Sequence, residues 1–315
     1  NFISGNSILK TSGGETVVLC LLIGFIIGNC FNLPKSFKEN LTSELFVKIG
    51  LILLGSTILI KAMLTVGMYG IIQAIVVIFV VWNFCFWVCK KMGVDREMSV
   101  MMSSGVSICG VSAAIATSGA INGDKNKLSY VISLVMVCAI PMIVLLPLIA
   151  RWCGFSEVLA GAWFGGTIDT TGAVAASGAF YGEIAEKVCT IVKSSQNVLL
   201  GVAAFVISMY WTLTGQGDRK EKPTAGVIWE RFPKFVIGFV AASLIFSFFI
   251  PEQTMAFTKG FVKSAQSFWF ALAFTTIGLE TNFKQLLSKQ NRKATWSFLI
   301  AQLFNIFFTL FIAWL

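Results

Sequence analysis

The sequence predicts an all-α polytopic membrane protein with about ten helical spans. Hydrophobic residues make up 56% of the 315 residues and charged residues only 12%, whereas soluble domains contain about 25% charged residues. A helical span requires about 20 mostly apolar residues, and these runs are too long and too uniformly apolar for the strands of a barrel. The composition therefore excludes a disordered chain, a disulfide-stapled secreted domain and most soluble enzymes.

The predicted spans follow one another with short polar connections. The longest polar stretch, 214–233, divides the single domain of residues 1–315 into approximate halves, 15–150 and 155–315. Because the chain begins with Asn1 and the charge pattern places this end outside, we expect one further span to precede it in the full gene product. The ten apolar runs lie near residues 16–33, 45–60, 67–89, 98–122, 128–150, 158–180, 188–213, 234–250, 264–283 and 294–315.

Basic residues predict the orientation in a bacterial cytoplasmic membrane. Alternate connections contain 15 Lys and Arg residues against 7 on the opposite side, which places loops 34–44, 90–97 and 214–233 in the cytoplasm. If segments 103–122 and 161–182 are re-entrant rather than spanning, the count becomes 16 against 6. Charge therefore leaves both topologies open.

Other counts remove classes of function. The chain has no His, which excludes an imidazole base or ligand. Most of the eight Cys residues lie in apolar runs, where Cys packs as a small hydrophobe. The net charge of +9 is confined to short loops between apolar runs, so we expect lipid and not nucleic acid as the partner. The chain lacks a phosphate-binding GxxxxGK[ST] motif. We expect no cofactor.

Segments 103–122 and 161–182 are dense in Gly, Ser, Thr and Ala, and they resemble each other at an offset of 60 residues. In a membrane, such residues either break helices around a binding site or let helices pack closely. Secondary transporters place pairs of discontinuous helices at the bilayer midplane in inverted repeats. We expect the helices to break at four glycines: Gly105, Gly165, Gly166 and Gly172.

Asp169 is the strongest candidate for a functional residue. A charged carboxylate in mid-membrane costs about 3 kcal/mol even on insertion scales, and the hydroxyls of Thr167, Thr170 and Thr171 surround it. The group fits a Na⁺ site of oxygen ligands or a proton-carrying carboxyl, and its alternative is a structural cap. Glu280 is a second candidate for the coupling ion, or an interfacial acid.

Lys193 begins a polar cluster near the start of the seventh run. Along helices that rise 1.5 Å per residue, it lies close enough in depth to reach Asp169, although snorkelling to the interface is the alternative. Four single polar residues in other apolar runs are interpreted as helix–helix hydrogen bonds: Gln73, Asn83, Gln302 and Asn305.

Residues 105–114, GVSICGVSAA, resemble the G-x-S-I-C-G-x-S-A signature of the sulfate exporter (PSE) family of bacterial inner-membrane proteins. Residues 168–170 and 174–178 resemble that family's aspartate motif, Val192–Lys193 the start of its V-K-L-T-R element, and 277–284 its late motif. The resemblance extends over most of the chain. Two positions depart from the pattern, because Ile168 replaces a His and Gln196 replaces the Arg.

The resemblance implies a secondary transporter that is distantly similar to bile acid, arsenite and riboflavin carriers, with crossing helices in a core domain beside a panel domain. It implies a small anion as substrate, sulfate or a related sulfonate or carboxylate. Loss of the His and Arg weakens the case for a dianion. Together with the polar pattern, it indicates these substrate-binding residues: Ser107, Cys109, Gly110, Ser112, Thr167, Thr170, Thr171 and Lys193.

Three functions are compared. A transporter coupled to Na⁺ or H⁺ is favoured, with Asp169 binding the coupling ion and Lys193 balancing charge. A channel would favour rings of like polar residues. An intramembrane enzyme would need a Ser–Lys dyad from Ser107 or Ser112 with Lys193, and we expect the protein not to be an enzyme. The sequence fits a monomer or a homodimer.

Overall fold

The computed structural model of the protein describes residues 13–30, 43–213, 229, 234–249, 252–280 and 292–315. This part of the chain is all-α, without strands. Its helices are α1 (Gly13–Cys30), α2 (Ser43–Gly55), α3 (Ile60–Met92), α4 (Arg96–Ser104), a π-helical stretch (Gly105–Cys109), α5 (Val111–Ile121), α6 (Lys125–Trp152), α7 (Glu157–Thr167), α8 (Thr171–Tyr181), α9 (Glu183–Val198), α10 (Leu200–Leu213), α11 (Lys234–Phe248), α12 (Glu252–Glu280) and α13 (Arg292–Trp314).

The prediction of an all-α polytopic membrane protein is confirmed. Among the described residues, four helical segments are long and apolar enough to cross a membrane. Shorter apolar helices accompany them, and within the described residues each of the ten predicted runs corresponds to one helix or to consecutive helices. The four long segments are Ile60–Met92, Lys125–Trp152, Glu183–Trp211 and Arg292–Trp314.

The helices form two packed groups. Helices α1, α2, α11 and α12 pack on one another around buried Leu51, Leu54, Phe239, Phe270 and Phe274. The second group surrounds α9, which packs against α3, α7 and α8, while α13 packs against α3 and α7. Helix α8 contacts both groups. It therefore connects the candidate site with the first group.

Helices α4 and α5 form a re-entrant hairpin, which we name hairpin 1. Asp95 caps the start of α4 by accepting a hydrogen bond from the Met98 amide at 3.2 Å. Asp124 lies just beyond the end of α5 and caps α6. The Lys127 ammonium, in the first turn of α6, lies 2.8 Å from Asp95 and 3.0 Å from Glu97. Both ends of hairpin 1 therefore lie at one end of the bundle, the Asp95 end.

Helices α7 and α8 form hairpin 2 in the same way. Ser156 caps the start of α7 through the Leu159 amide. The Glu157 carboxylate accepts hydrogen bonds from the amides of Ile184 and Ala185, at 2.8 and 3.2 Å, just after α8 ends. The two ends of hairpin 2 are therefore adjacent, at what we name the Glu157 end of the bundle.

Helix α6 connects the hairpins across the bundle. Its 28 residues extend roughly 42 Å at 1.5 Å per residue, which is longer than a hydrocarbon core of about 30 Å. Its first turn contacts Asp95, and the Arg151 guanidinium in its last turn donates to the Phe180 carbonyl at 2.7 Å. The hairpins therefore enter from opposite ends. Each of the two segments therefore begins and ends at one end of the bundle, as a re-entrant segment does, and does not cross it.

Candidate functional site

The tips of the two hairpins meet at Gly110. This residue joins the π-helical stretch to α5 with φ 56° and ψ −113°, a region that residues with a Cβ rarely occupy. A Cβ on Gly110 would lie 2.7 Å from Val135 Cγ1, 3.1 Å from Thr170 Cγ2 and 3.2 Å from Asp169 Cβ. Backbone conformation and space therefore both require glycine where hairpin 1 touches hairpin 2.

Side chains from α9 and α13 bind the carbonyls at the tip of hairpin 1. The Asn305 amide donates to Val106 O at 3.1 Å, the Gln196 amide to Ser107 O at 2.8 Å, and the Lys193 ammonium to Ile108 O at 2.7 Å. Carbonyls at the end of a helix lack intrahelical partners. These three bonds satisfy the carbonyls of the distorted segment and hold the tip in place.

The amides in the first turn of α5, unlike the carbonyls at the end of the π-helical stretch, are not bonded by a capping side chain. The N-cap residue of α5 is Gly110, so no side chain caps its amides in the described structure. Uncapped amides and the helix dipole give a helix N-terminus a partial positive charge that attracts anions. Ser112 lies in this turn and is half-buried. The start of α5 is therefore an electropositive part of the tip.

Lys193 is buried, with 1% of its surface exposed. Besides Ile108 O, its ammonium donates to Gln196 Oε1 at 2.9 Å. The alternative that Lys193 snorkels to the interface is therefore wrong. No ion pair within 4.0 Å joins it to Asp169 in the part of the chain that the structure describes, although both groups are buried at the hairpin tips.

Hairpin 2 turns through three non-helical residues, Ile168–Thr170. The Thr167 carbonyl, at the end of α7, accepts hydrogen bonds from Gln302 at 3.2 Å and Asn305 at 3.1 Å. Thr170 caps α8 through the Ala173 amide. Thr171 Oγ1 accepts a hydrogen bond from the Asn197 amide at 3.1 Å. Helices α9 and α13 therefore hold both tips.

Asp169 lies at the centre of this turn and is 1% exposed. Neither carboxylate oxygen has a partner with hydrogen-bond geometry among the described residues; the Gln302 amide lies close to the carboxylate but donates to the Thr167 carbonyl. Three other buried oxygens around the turn are unpaired in the same part of the structure: Thr167 Oγ1, Asn197 Oδ1 and Gln302 Oε1. Buried polar groups usually have partners, so this group of oxygens requires an explanation.

The structure brings most of the predicted site residues to the tips. Cys109 is buried near Lys193, and Thr170 and Thr171 are half-buried. The Ser107 hydroxyl donates to Ser103 O at 2.7 Å. The Lys193 ammonium donates to other groups, so Ser107 does not form the Ser–Lys dyad that the alternative of an intramembrane enzyme would need. Glu280 ends α12, but its side chain lies outside the described residues.

Of the four glycines predicted to break the helices, Gly105 lies where the regular helix α4 ends, and the other three lie within α7 and α8. Gly165 and Gly166 lie in the last turn of α7, and Gly172 lies in the first turn of α8. Gly105 begins the π-helical stretch, and the chain turns five residues later at Gly110. Gly165 permits close packing instead, because a Cβ there would lie 2.7 Å from the Cys189 carbonyl oxygen.

Side-chain amides bond more of the carbonyls at the helix breaks than the sequence predicted. Gln302 and Asn305 were expected to form helix–helix hydrogen bonds, and they do so by binding carbonyls at the helix breaks. Gln73 likewise donates to the Ala162 carbonyl. Asn83 was expected to do the same but bonds Phe79 O of its own helix. The sequence reasoning missed Asn197; its position one turn after Lys193 was the available signal.

Known proteins are similar in sequence to this chain over nearly its whole length. The family described as "Conserved hypothetical protein 698" matches residues 2–297. UPF0324 membrane protein RB9488 of Rhodopirellula baltica is 38% identical over 100% of this chain and 60% of its own length. A UPF0324 membrane protein of Nitratidesulfovibrio vulgaris is 37% identical over 98% of this chain and 55% of its own. The chain thus spans less than two thirds of these relatives. No solved structure matches.

Proposed function

The chain belongs to the conserved hypothetical protein 698 family, whose relatives are membrane proteins, and on that premise we propose that it is a secondary active transporter of a small anion, coupled to Na⁺ or H⁺. The observation that supports this is the meeting of two re-entrant hairpins, from opposite ends of the bundle, at Gly110 and Asp169. Transporters build midplane sites from such discontinuous helices and expose them alternately to each side.

The anion site consists of the two helix N-termini at the tips. Helix α5 presents uncapped amides and Ser112, and α8 begins with the hydroxyls of Thr170 and Thr171. Lys193 contributes positive charge behind hairpin 1 while it binds Ile108 O. Amides, hydroxyls and one ammonium suit the oxygens of sulfate, a sulfonate or a carboxylate.

The charges favour a singly charged anion over sulfate. Asp169 and Lys193 are both buried and offset each other, and burial of uncompensated charge is costly. A monoanion that binds with one cation leaves the site neutral. A dianion would need a second cation, and Ile168 and Gln196 occupy the positions where the resembling family has His and Arg.

The charge distribution sets the orientation in the bacterial inner membrane. With the re-entrant topology, the Asp95 end and the connections that begin and end there contain 16 Lys and Arg residues, against 6 at the opposite end. The positive-inside rule places the Asp95 end, with loops 34–44, 90–97 and 214–233, in the cytoplasm. Hairpin 1 then enters from the cytoplasm, and hairpin 2 enters from outside.

Counterflow in proteoliposomes tests this function. Vesicles loaded with unlabelled sulfate, a small alkylsulfonate or a small carboxylate receive the same labelled anion outside. A carrier produces transient, saturable accumulation of label inside, and we expect it for at least one monoanion. Uptake that is linear in concentration and shows no counterflow would indicate a channel and would contradict the proposal.

A further inference from the structure

We propose that the unpaired oxygens at the tip of hairpin 2 form a sodium site, with Asp169, Thr167, Asn197 and Gln302 as ligands. The proposal rests on the transport function above and identifies Na⁺ as the coupling ion. The four side chains come from hairpin 2, α9 and α13. They supply five unpaired oxygen atoms within the described structure.

Burial makes these oxygens significant. Asp169 and Thr167 are each 1% exposed, Asn197 is 3% exposed and Gln302 is 4% exposed. A buried acceptor without a partner costs about 1–3 kcal/mol, and a charged one costs more. Several such acceptors beside one carboxylate would oppose folding together. A bound cation satisfies all of them with one ion.

The side-chain amides of Gln302 and Asn197 use their nitrogens to donate hydrogen bonds to hairpin 2, and their oxygens have no partners among the described residues. Gln302 Nε2 donates to the Thr167 carbonyl, which can only accept, so the amide cannot be reversed without loss of that bond. Asn197 Nδ2 bonds Thr171 Oγ1. With the amides oriented in this way, Gln302 Oε1 and Asn197 Oδ1 have no partners among the described residues.

The donor set suits Na⁺ better than a proton or a divalent ion. A proton satisfies only one carboxylate oxygen, and the hydroxyl and amide oxygens would remain unpaired. In the described chain, no cluster of three or more Asp, Glu, Cys or His residues could hold a metal, whereas Ca²⁺ takes six to eight oxygen ligands, commonly with several carboxylates. One carboxylate with neutral oxygens at the negative end of the α7 dipole fits a hard monovalent cation.

Lys193 explains how the cation is coupled to the anion. Lys193 is buried on α9 one turn before Asn197, a proposed ligand, so its positive charge opposes Na⁺ at this site. An anion at the tips of α5 and α8 offsets both positive charges. Na⁺ and the anion should each raise the affinity for the other, as reciprocal linkage requires.

Thermal unfolding of the purified full chain in detergent tests the site without any substrate. NaCl replaces choline chloride at constant ionic strength, and KCl serves as the comparison. We expect Na⁺ alone to raise the unfolding midpoint in a saturable way. Thr167→Val removes a ligand oxygen that has no hydrogen bond in the described structure. It should raise the half-maximal Na⁺ concentration by about tenfold, or ~1.4 kcal/mol, without destabilising the sodium-free protein.

Thr190→Val is the matched control. Its hydroxyl is also buried and unpaired in the described part of α9, but it lies seven residues before Asn197, roughly 10 Å along the helix. Its Na⁺ response should equal that of the wild type. Equal responses of both variants, or a folded wild type without a Na⁺-specific shift, would overturn the proposal. A Na⁺ response without counterflow would contradict the transport function and leave the ion site intact.

Discussion

The two hairpins share a shape but differ in how their tips are satisfied. At hairpin 1, three side chains bind three successive carbonyls, and the turn is a single glycine with positive φ. At hairpin 2, the turn contains a buried carboxylate, and within the described structure both of its oxygens lack partners. Protein contacts hold both tips, but the tip of hairpin 2 also has buried oxygens without partners among the described residues.

This difference assigns the hairpins separate roles. Lys193 and Gln196 bind each other and hold the end of the π-helical stretch, which fixes the direction of the α5 N-terminus toward hairpin 2. Asp169 makes no comparable bond in the part that the structure describes. We infer that hairpin 1 is a positioned surface for the anion and that hairpin 2 changes most when an ion binds.

The largest expected effect comes from labelling cysteines near the hairpin ends with a membrane-impermeant reagent. If the two hairpins enter from opposite ends, each cysteine is labelled from one side of the membrane and not from the other. In a Cys153→Ser background, we expect Lys91→Cys and Asn126→Cys, which flank hairpin 1, to react with a membrane-impermeant maleimide from the same side. Native Cys153 is exposed, and in the wild type it should be labelled from the other side, as should Ile184→Cys in the Cys153→Ser background. If either segment spans the membrane, the two members of its pair will react from opposite sides.

Lys193→Met tests whether the tip of hairpin 1 depends on its buried ammonium. The change leaves Ile108 O and Gln196 Oε1 without that donor and Asp169 without a nearby positive charge. We expect the free energy of unfolding to fall by about 4 kcal/mol, because two hydrogen bonds from a charged donor are lost. Lys187→Met is the control, because Lys187 pairs with Glu183 near the surface and should cost about 0.5 kcal/mol. Equal losses would contradict a specific role for Lys193.

Gly110→Ala tests the contact between the hairpins. The new methyl group would meet Val135 and Thr170 while the backbone keeps its positive φ, so we expect destabilisation of about 3 kcal/mol. Gly154→Ala separates strain from contact, because Gly154 also has positive φ (69°), but a Cβ there would meet no atom of the described residues within 4 Å. It should cost about 1 kcal/mol. A similar loss at both positions would mean that the tips do not touch.

The ion pair between Asp95 and Lys127, at the start of hairpin 1, should contribute least to the free energy of unfolding. Partial burial acts to raise the pKa of Asp95, but the hydrogen bonds from Lys127 and the Met98 amide outweigh it and lower the pKa below 3.8. The resulting stabilisation is present above that value and is lost as pH falls through the lower folded-state pKa. Since Asp95 is half exposed, Lys127→Met should reduce stability at pH 7 by less than about 1 kcal/mol. A loss comparable to that of Lys193→Met would contradict this ranking.

Much of the fold could be predicted from the sequence, because a helix that lies in lipid requires a long run of apolar residues. The re-entrant topology could not, because 103–122 is as long as a span and its path depends on the contact of Lys127 with Asp95 and Glu97. Glycine content located both unusual segments. It did not locate the breaks, since Gly165 allows helices to approach while the chain turns at Ile168.

The candidate site was predictable in part for the same reason. A carboxylate in the middle of an apolar run costs free energy to place in lipid. The sequence alone therefore indicates Asp169 as a candidate functional residue. Which oxygens stay unpaired depends on tertiary contacts, such as the bond from Asn197 to Thr171 and that from Gln302 to Thr167. No local pattern distinguishes these amides from ordinary helix–helix contacts.

The central claim is that the hairpin tips, through Asp169, form the site of coupled transport. Na⁺-driven counterflow of a small monoanion tests it directly when wild type, Asp169→Asn and Glu186→Gln are compared. Glu186 is also a buried carboxylate, but it accepts a hydrogen bond from Gln266 at 2.9 Å, away from the tips. We predict that Asp169→Asn reduces counterflow to the level of protein-free vesicles and that Glu186→Gln retains it. Full counterflow in a folded Asp169→Asn protein would contradict the account.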